Sequence, residues 1–122
     1  MKCGCICCGS KPQEEANFRK TIPPAVLKYQ SSVRTPQDWK NPYLVVTAGD
    51  VQILGGPSVP LEGLEAYLIS LPKSAWPYGR LVAVQDMGIR SGKDDDKINK
   101  NLVAIMRVLK ELDIHANPWP SA

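Results

Sequence analysis

A small α+β domain is the fold this sequence predicts: a two-layer sandwich in the order β-β-α-β-α, with room for a last strand and with two helices packed on one sheet. Three observations predict it. Two short β-branched runs flank a Gly-Asp pair, an apolar run from Arg80 to Gln85 follows later, and a long apolar stripe fills the segment after Asp95.

The first strand is Tyr43-Leu44-Val45-Val46-Thr47-Ala48, rich in β-branched and aromatic residues. Gly49-Asp50 turns the chain into Val51-Gln52-Ile53-Leu54, whose apolar residues alternate, so the pair predicts a hairpin. Gly55-Gly56-Pro57 stops the second strand. A helix is expected from about Leu61 to Leu71, because Leu61, Leu64, Tyr67 or Leu68, and Leu71 recur at intervals of three and four. Pro60 suits its first turn, and Glu62 and Glu65 suit the positive end of its dipole. Pro72 to Gly79 reads as a loop, and Arg80 to Gln85 as a central strand, apolar through its middle. Asp86 to Asp94 reads as a second loop. From Asp95 to Leu112, the residues Ile98, Leu102, Ile105, Leu109 and Leu112 form a continuous stripe, widened by Met106 and Val108. Ile114 to Ala116 offers a short final strand, and Pro118-Trp119-Pro120 ends regular structure.

The 122 residues leave room for one domain, placed at 41–122. Residues 1–40 read as a flexible, cysteine-rich tail and tether. Lys11 to Glu15 is polar without periodicity, and Pro23-Pro24 forbids a helix there. A helical turn from Ala25 to Tyr29 would let Val26, Leu27 and Tyr29 pack on the domain.

Charge argues against nucleic acid. The net charge is only +3, and Lys93, Lys97 and Lys100 interleave with Asp94, Asp95 and Asp96, so no dense basic stripe forms. No stretch approaches the length of a membrane span, and no apolar leader follows Met1-Lys2.

A catalytic site is not expected. His115 is the one histidine, no serine sits in a nucleophile-elbow pattern, and the glycines form no phosphate-binding loop. The Asp94-Asp95-Asp96 run lacks the ligand spacing of a calcium loop and reads as helix capping. No cofactor is implied. Two sets of residues remain. Trp76, Tyr78 and Trp119 lie beside loops or ends, either as caps on the core or as a partner interface. Cys3, Cys5, Cys7 and Cys8 are all the cysteines there are. They read three ways: a soft-metal clip, a lipid attachment site, or a tail whose thiols do nothing specific. The tract Gly4 to Ser10 with its polar follow-on looks like the mature start of a bacterial lipoprotein, which implies membrane association through acylated cysteines and an extracytoplasmic place.

The stretch from Tyr43 to His115 resembles the periplasmic domain of the ExbD/TolR biopolymer-transport family. The hairpin Tyr43 to Leu54, the run Pro57 to Leu64 leading into a helix, the strand near Tyr78 to Val82 and the helix ending in Leu109 to Ile114 carry the resemblance. It implies a non-enzymatic domain that dimerises or engages a protein or peptide partner, with strand addition at a sheet edge as one route. The family's transmembrane helix and its functional aspartate have no counterpart here, so proton-driven activity is not implied. The competing expectation is a cytoplasmic protein with thiol-based metal or redox chemistry in its tail.

Overall fold

The computed structural model describes residues 13–33, 35–86 and 92–119. It is a mixed α/β domain built on a five-stranded sheet: β1 (Tyr43–Val46), β2 (Val51–Ile53), β3 (Ser58–Val59), β4 (Leu81–Asp86) and β5 (His115–Trp119), in the spatial order β3-β2-β1-β4-β5. The hairpin is as expected, with β1 and β2 antiparallel and Leu44 opposite Ile53. Thr47 closes it: its Oγ1 accepts from the Gly49 and Asp50 N–H groups and its hydroxyl lies 2.8 Å from Asp50 Oδ1. β4 runs parallel to both β1 and β5.

Among the described residues four helices accompany the sheet: residues 13–21 (α1), Tyr29–Ser32 (α2), Leu64–Ser70 (α3) and Gly92–Glu111 (α4). The expected helix at Leu61 divides in two. A 3-10 turn covers Leu61–Gly63 and the α-helix starts after Gly63, the residue least suited to a helix interior. α4 starts at Gly92 rather than Asp95, which puts Asp94 and Asp95 in its first turn beside the positive end of the dipole. Its stripe residues Ile98, Ile105 and Leu109, and Leu112 just past its end, are buried in one core with Leu44, Val46, Val82 and Val84 of the sheet and Leu64 and Leu68 of α3. Full burial of one such aliphatic side chain stabilises by about 1.5–3 kcal/mol, so this face holds most of the folding energy.

Two strands depart from expectation. β3 forms after the Gly55-Gly56-Pro57 stop, pairing Ser58 with Gln52. β5 runs through Pro118 to Trp119, where regular structure was expected to have ended. Proline is admissible because β5 is an outer strand. The His115 N–H donates to the Arg80 carbonyl at 2.9 Å, so residues 115, 117 and 119 turn their main-chain groups toward β4. Ala116 and Pro118 then face the outer edge, where, among the described residues, a missing N–H breaks no ladder bond.

The largest correction concerns residues 13–33 and 35–40, which pack on the domain instead of tethering it. Phe18 and Ile22 enter the helix-side core, with Phe18 edge-on to Trp76 at 5.2 Å. Beyond Ile22 the chain crosses to the other face of the sheet. There Trp39, Tyr43, Tyr78, Leu81 and Ala83 form a second cluster, flanked by Ala25, Tyr29 and Val33. Tyr29 stacks on Tyr78 with ring centroids 4.1 Å apart. Of the turn residues expected to pack, Tyr29 does so, while Val26 and Leu27 stay exposed. The physical reason is that β1 and β4 are apolar on both faces, and a sheet with two apolar faces needs two covers.

Two contacts lock this second cover. Buried Asn41 donates from Nδ2 to the carbonyls of Gly79 and Leu81, at 2.8 and 2.6 Å, and accepts from the Tyr78 N–H at 2.9 Å. Gly79 has φ +76°, and the Pro23 and Pro24 carbonyls press against its Cα: a Cβ there would lie 2.2 Å from the Pro24 oxygen. Gly79→Ala therefore adds both left-handed strain and a backbone collision. We expect a loss of about 3 kcal/mol or more in urea unfolding; a change within experimental error would mean that residues 23–26 do not dock here.

Tyr43 lies on the same face, and its hydroxyl donates to Gln85 Oε1 on β4. Burial raises its pKa above the ordinary value, since the phenolate would be poorly solvated. A raised folded-state pKa means that stability is complete below the unfolded value near 10 and falls as pH climbs through the folded one. Tyr43→Phe should flatten the alkaline limb of the stability–pH curve, measured by urea midpoints from pH 8 to 11.

Candidate functional site

The sequence-nominated aromatics are core residues. Trp76 is 2% exposed and Tyr78 is buried between Tyr29 and Trp39. Tyr78 also accepts from the Lys40 N–H and donates to the Asp38 carbonyl. Trp119 is half-buried, with its ring edge-on to Trp39 and Tyr43. Of the two expected roles, capping the core fits all three. As an interface, only Trp119 retains an accessible surface. The four cysteines lie outside the described residues, as does part of the loop from Asp86 to Asp94. His115 is exposed, and its Nε2 lies 2.7 Å from Gln30 Nε2, an amide that can donate to the neutral ring.

What the structure does bring together is a groove along β5 that sequence reading did not nominate. Its larger end is a cleft of about 620 Å³ between the segment Pro24–Leu27, the last turns of α4 and the start of β5. The Pro23-Pro24 pair holds that segment extended, and two main-chain bonds fasten it: Arg80 N–H to the Pro23 carbonyl at 2.9 Å, and Val26 N–H to the Tyr78 carbonyl at 2.8 Å. The opposite wall is Met106 and Leu109 of α4. Leu27 is 51% and Met106 47% exposed, an apolar pair facing solvent at the mouth.

The turn from α4 into β5 shapes the floor. Ile114 N–H bonds to the Leu109 carbonyl and Asp113 N–H to the Lys110 carbonyl, the Schellman arrangement that ends a helix with one left-handed residue. Asp113 occupies that position at φ +57°. Its carboxylate then stands 3.4 Å from Arg80 Nη1. Arg80 is buried, its Nε has no hydrogen-bond partner, and Lys110 and His115 line the same space.

Farther along β5 lies a second hollow of about 320 Å³, lined by Val84, Leu102, Met106, Ala116, Pro118 and Trp119, with Asp86 also on its lining. The two hollows share Met106 and Ala116, so they adjoin along β5 as the two parts of a furrow with the methionine between them. The sequence signal for it was present in Met106, which widens the α4 stripe beyond what the core covers.

Three carboxylates meet elsewhere. Glu15 of α1, Glu65 of α3 and Glu111 at the end of α4 each place an oxygen within 4.8 Å of the others. They are the residues that could offer oxygen ligands to a hard cation, although a calcium ion takes about 6–8 oxygens and water would have to supply the rest. Arg19 donates to the Glu111 carbonyl beside them. No helix among the described residues is long and apolar enough to cross a membrane.

The burial of the aromatics sets an expected outcome. Trp76→Ala should lose about 3–5 kcal/mol and most of the thermal transition, while half-buried Trp119→Ala should lose less and keep the fold, both read by far-UV circular dichroism. No protein-family model matches this chain, and neither a curated protein nor a solved structure matches it.

Proposed function

We propose that this is a non-enzymatic interaction domain that holds an extended protein or peptide segment along β5, beside α4. The observation that carries the reading is the pair of adjoining hollows, walled largely by apolar side chains, that lie against an outer strand. A strand edge supplies main-chain hydrogen bonds and a flanking helix supplies side-chain pockets, the combination that β-strand addition requires. The edge offers one donor, the Ala116 N–H, and two acceptors, the carbonyls of Ala116 and Pro118. Ala116 packs toward the helix side, so a partner residue opposite it, and the one opposite Pro118, would aim side chains into the two hollows. The recognised pattern is therefore two apolar residues separated by one of any kind.

The ExbD/TolR resemblance supports the same reading, since partner engagement or dimerisation is what it implies. Acylated cysteines near the start of the chain would set such a domain at an extracytoplasmic membrane surface. A second copy of the chain would be one candidate for the partner segment.

Selection from a displayed random heptapeptide library tests the proposal, run in parallel on the wild type and on Met106→Glu. Met106 is half-exposed, so its replacement leaves the core intact. Peptides with alternating apolar residues should be enriched on the wild type and lost on the variant. No enrichment, or equal retention by both proteins, would sink the reading.

A further inference from the structure

We infer that the deep end of the furrow, at Arg80, takes a carboxylate, and that this carboxylate is the free C-terminus of the extended segment held by β5. The inference rests on the strand-addition reading and adds the chemistry of the segment's end.

Arg80 is an unusual floor for an apolar cleft. Its side chain is only 9% exposed, and its Nε is buried without a hydrogen-bond partner. Burying a guanidinium is costly unless its donors are matched by good acceptors. The acceptor it has is poor. Asp113 Oδ2 stands at 3.4 Å, beyond the roughly 2.7–2.9 Å of a strong charge-assisted bond, and the Asp113 side chain is 74% exposed. With Lys110 also lining the cleft, two cations face one carboxylate among the described residues. The site is thus short of an anion.

Register identifies which anion. A segment antiparallel to β5 whose last residue faces Ala116 exchanges main-chain bonds with it and points its side chain toward Met106 and Leu109. Its third-from-last residue faces Pro118 and points toward Leu102. The chain then ends level with His115, which is paired with Leu81 and stands next to Arg80. One terminal oxygen accepts from the Ala116 N–H and the other from the guanidinium. A longer chain would have to continue into the wall formed by Pro24 and Ala25.

Calorimetric titration of the whole chain tests this with an N-acetylated pentapeptide carrying leucine at its last and third-from-last positions and serine elsewhere. The free acid should bind about tenfold tighter than the C-terminal amide. Asp113→Asn should tighten the free acid further and leave the amide unchanged, because asparagine tolerates the left-handed turn and releases Arg80. Arg80→Gln, checked for folding by circular dichroism, should erase the difference between acid and amide. Equal binding of acid and amide by the wild type overturns the carboxylate inference and leaves strand pairing standing. An Asp113→Asn protein with unaltered affinity for the free acid counts against pairing with Arg80. Binding of neither peptide overturns both readings, and binding of decanoate alone replaces the peptide with a fatty acid.

Discussion

The contact between the Pro23-Pro24 carbonyls and Gly79 is the constraint on which the rest of this structure depends. It fixes where the N-terminal segment crosses from one face of the sheet to the other. On one side of that crossing Phe18 and Ile22 fill the helix-side core; on the other, Ala25, Tyr29 and Trp39 cover the back of β1 and β4. The same crossing places Pro24 and Leu27 as the outer wall of the β5 cleft and sets Arg80, the next residue after Gly79, at its floor. Fold and groove therefore share one hinge point. Asn41 reinforces it with three buried hydrogen bonds, each tying the approach to β1 to the approach to β4.

What could be read from the sequence was the part whose periodicity has one physical meaning. Leu102, Ile105, Leu109 and Leu112 can share a face only on a helix, and Val51, Gln52 and Ile53 alternate only on a strand. The second cover was missed because Tyr29, Val33 and Trp39 are too sparse to make a period, and prolines interrupt their segment. Yet the demand for a cover was legible. Leu81, Val82, Ala83 and Val84 are consecutive and apolar, so a strand made of them must be buried on both sides. Trp76, Tyr78 and Trp119 were nominated because they sit beside loops. Composition alone does not say whether a loop aromatic turns in or out; here the sheet's unclaimed face drew Tyr78 and Trp119 inward, while Trp76 joined Phe18 in the helix-side core. The candidate groove was the least legible, because two segments more than seventy residues apart in sequence, Pro24–Leu27 and the α4–β5 turn, meet only after folding.

The two ends of the sheet are protected unequally, and that inequality singles out β5. At one end β3 is two residues long, too short to template another strand. At the other, β5 is five residues long and relies on Pro118 to remove one donor. The proline leaves a specific pattern of donor and acceptors instead of a uniform ladder. A uniform ladder accepts any extended chain in several registers, whereas this edge favours the register that spares the missing N–H. Protection against indiscriminate pairing and selectivity toward one segment thus come from the same residue.

Arg80 presents the opposite economy. An apolar side chain at this place would pack against Leu109 and Ile114 without any desolvation cost, and buried ion pairs seldom stabilise more than an apolar replacement does. Among the described residues its ion-pair partner is a solvent-exposed aspartate, and exposed pairs contribute about 0–1 kcal/mol. Folding alone gives little reason to keep a guanidinium under an apolar cleft. A ligand does, because a carboxylate arriving with its own apolar chain excludes water from the cleft and strengthens the very interaction that water now weakens. The charge that is poorly matched in the free domain is then matched in the complex, and the difference between those two states is the binding energy available to the site.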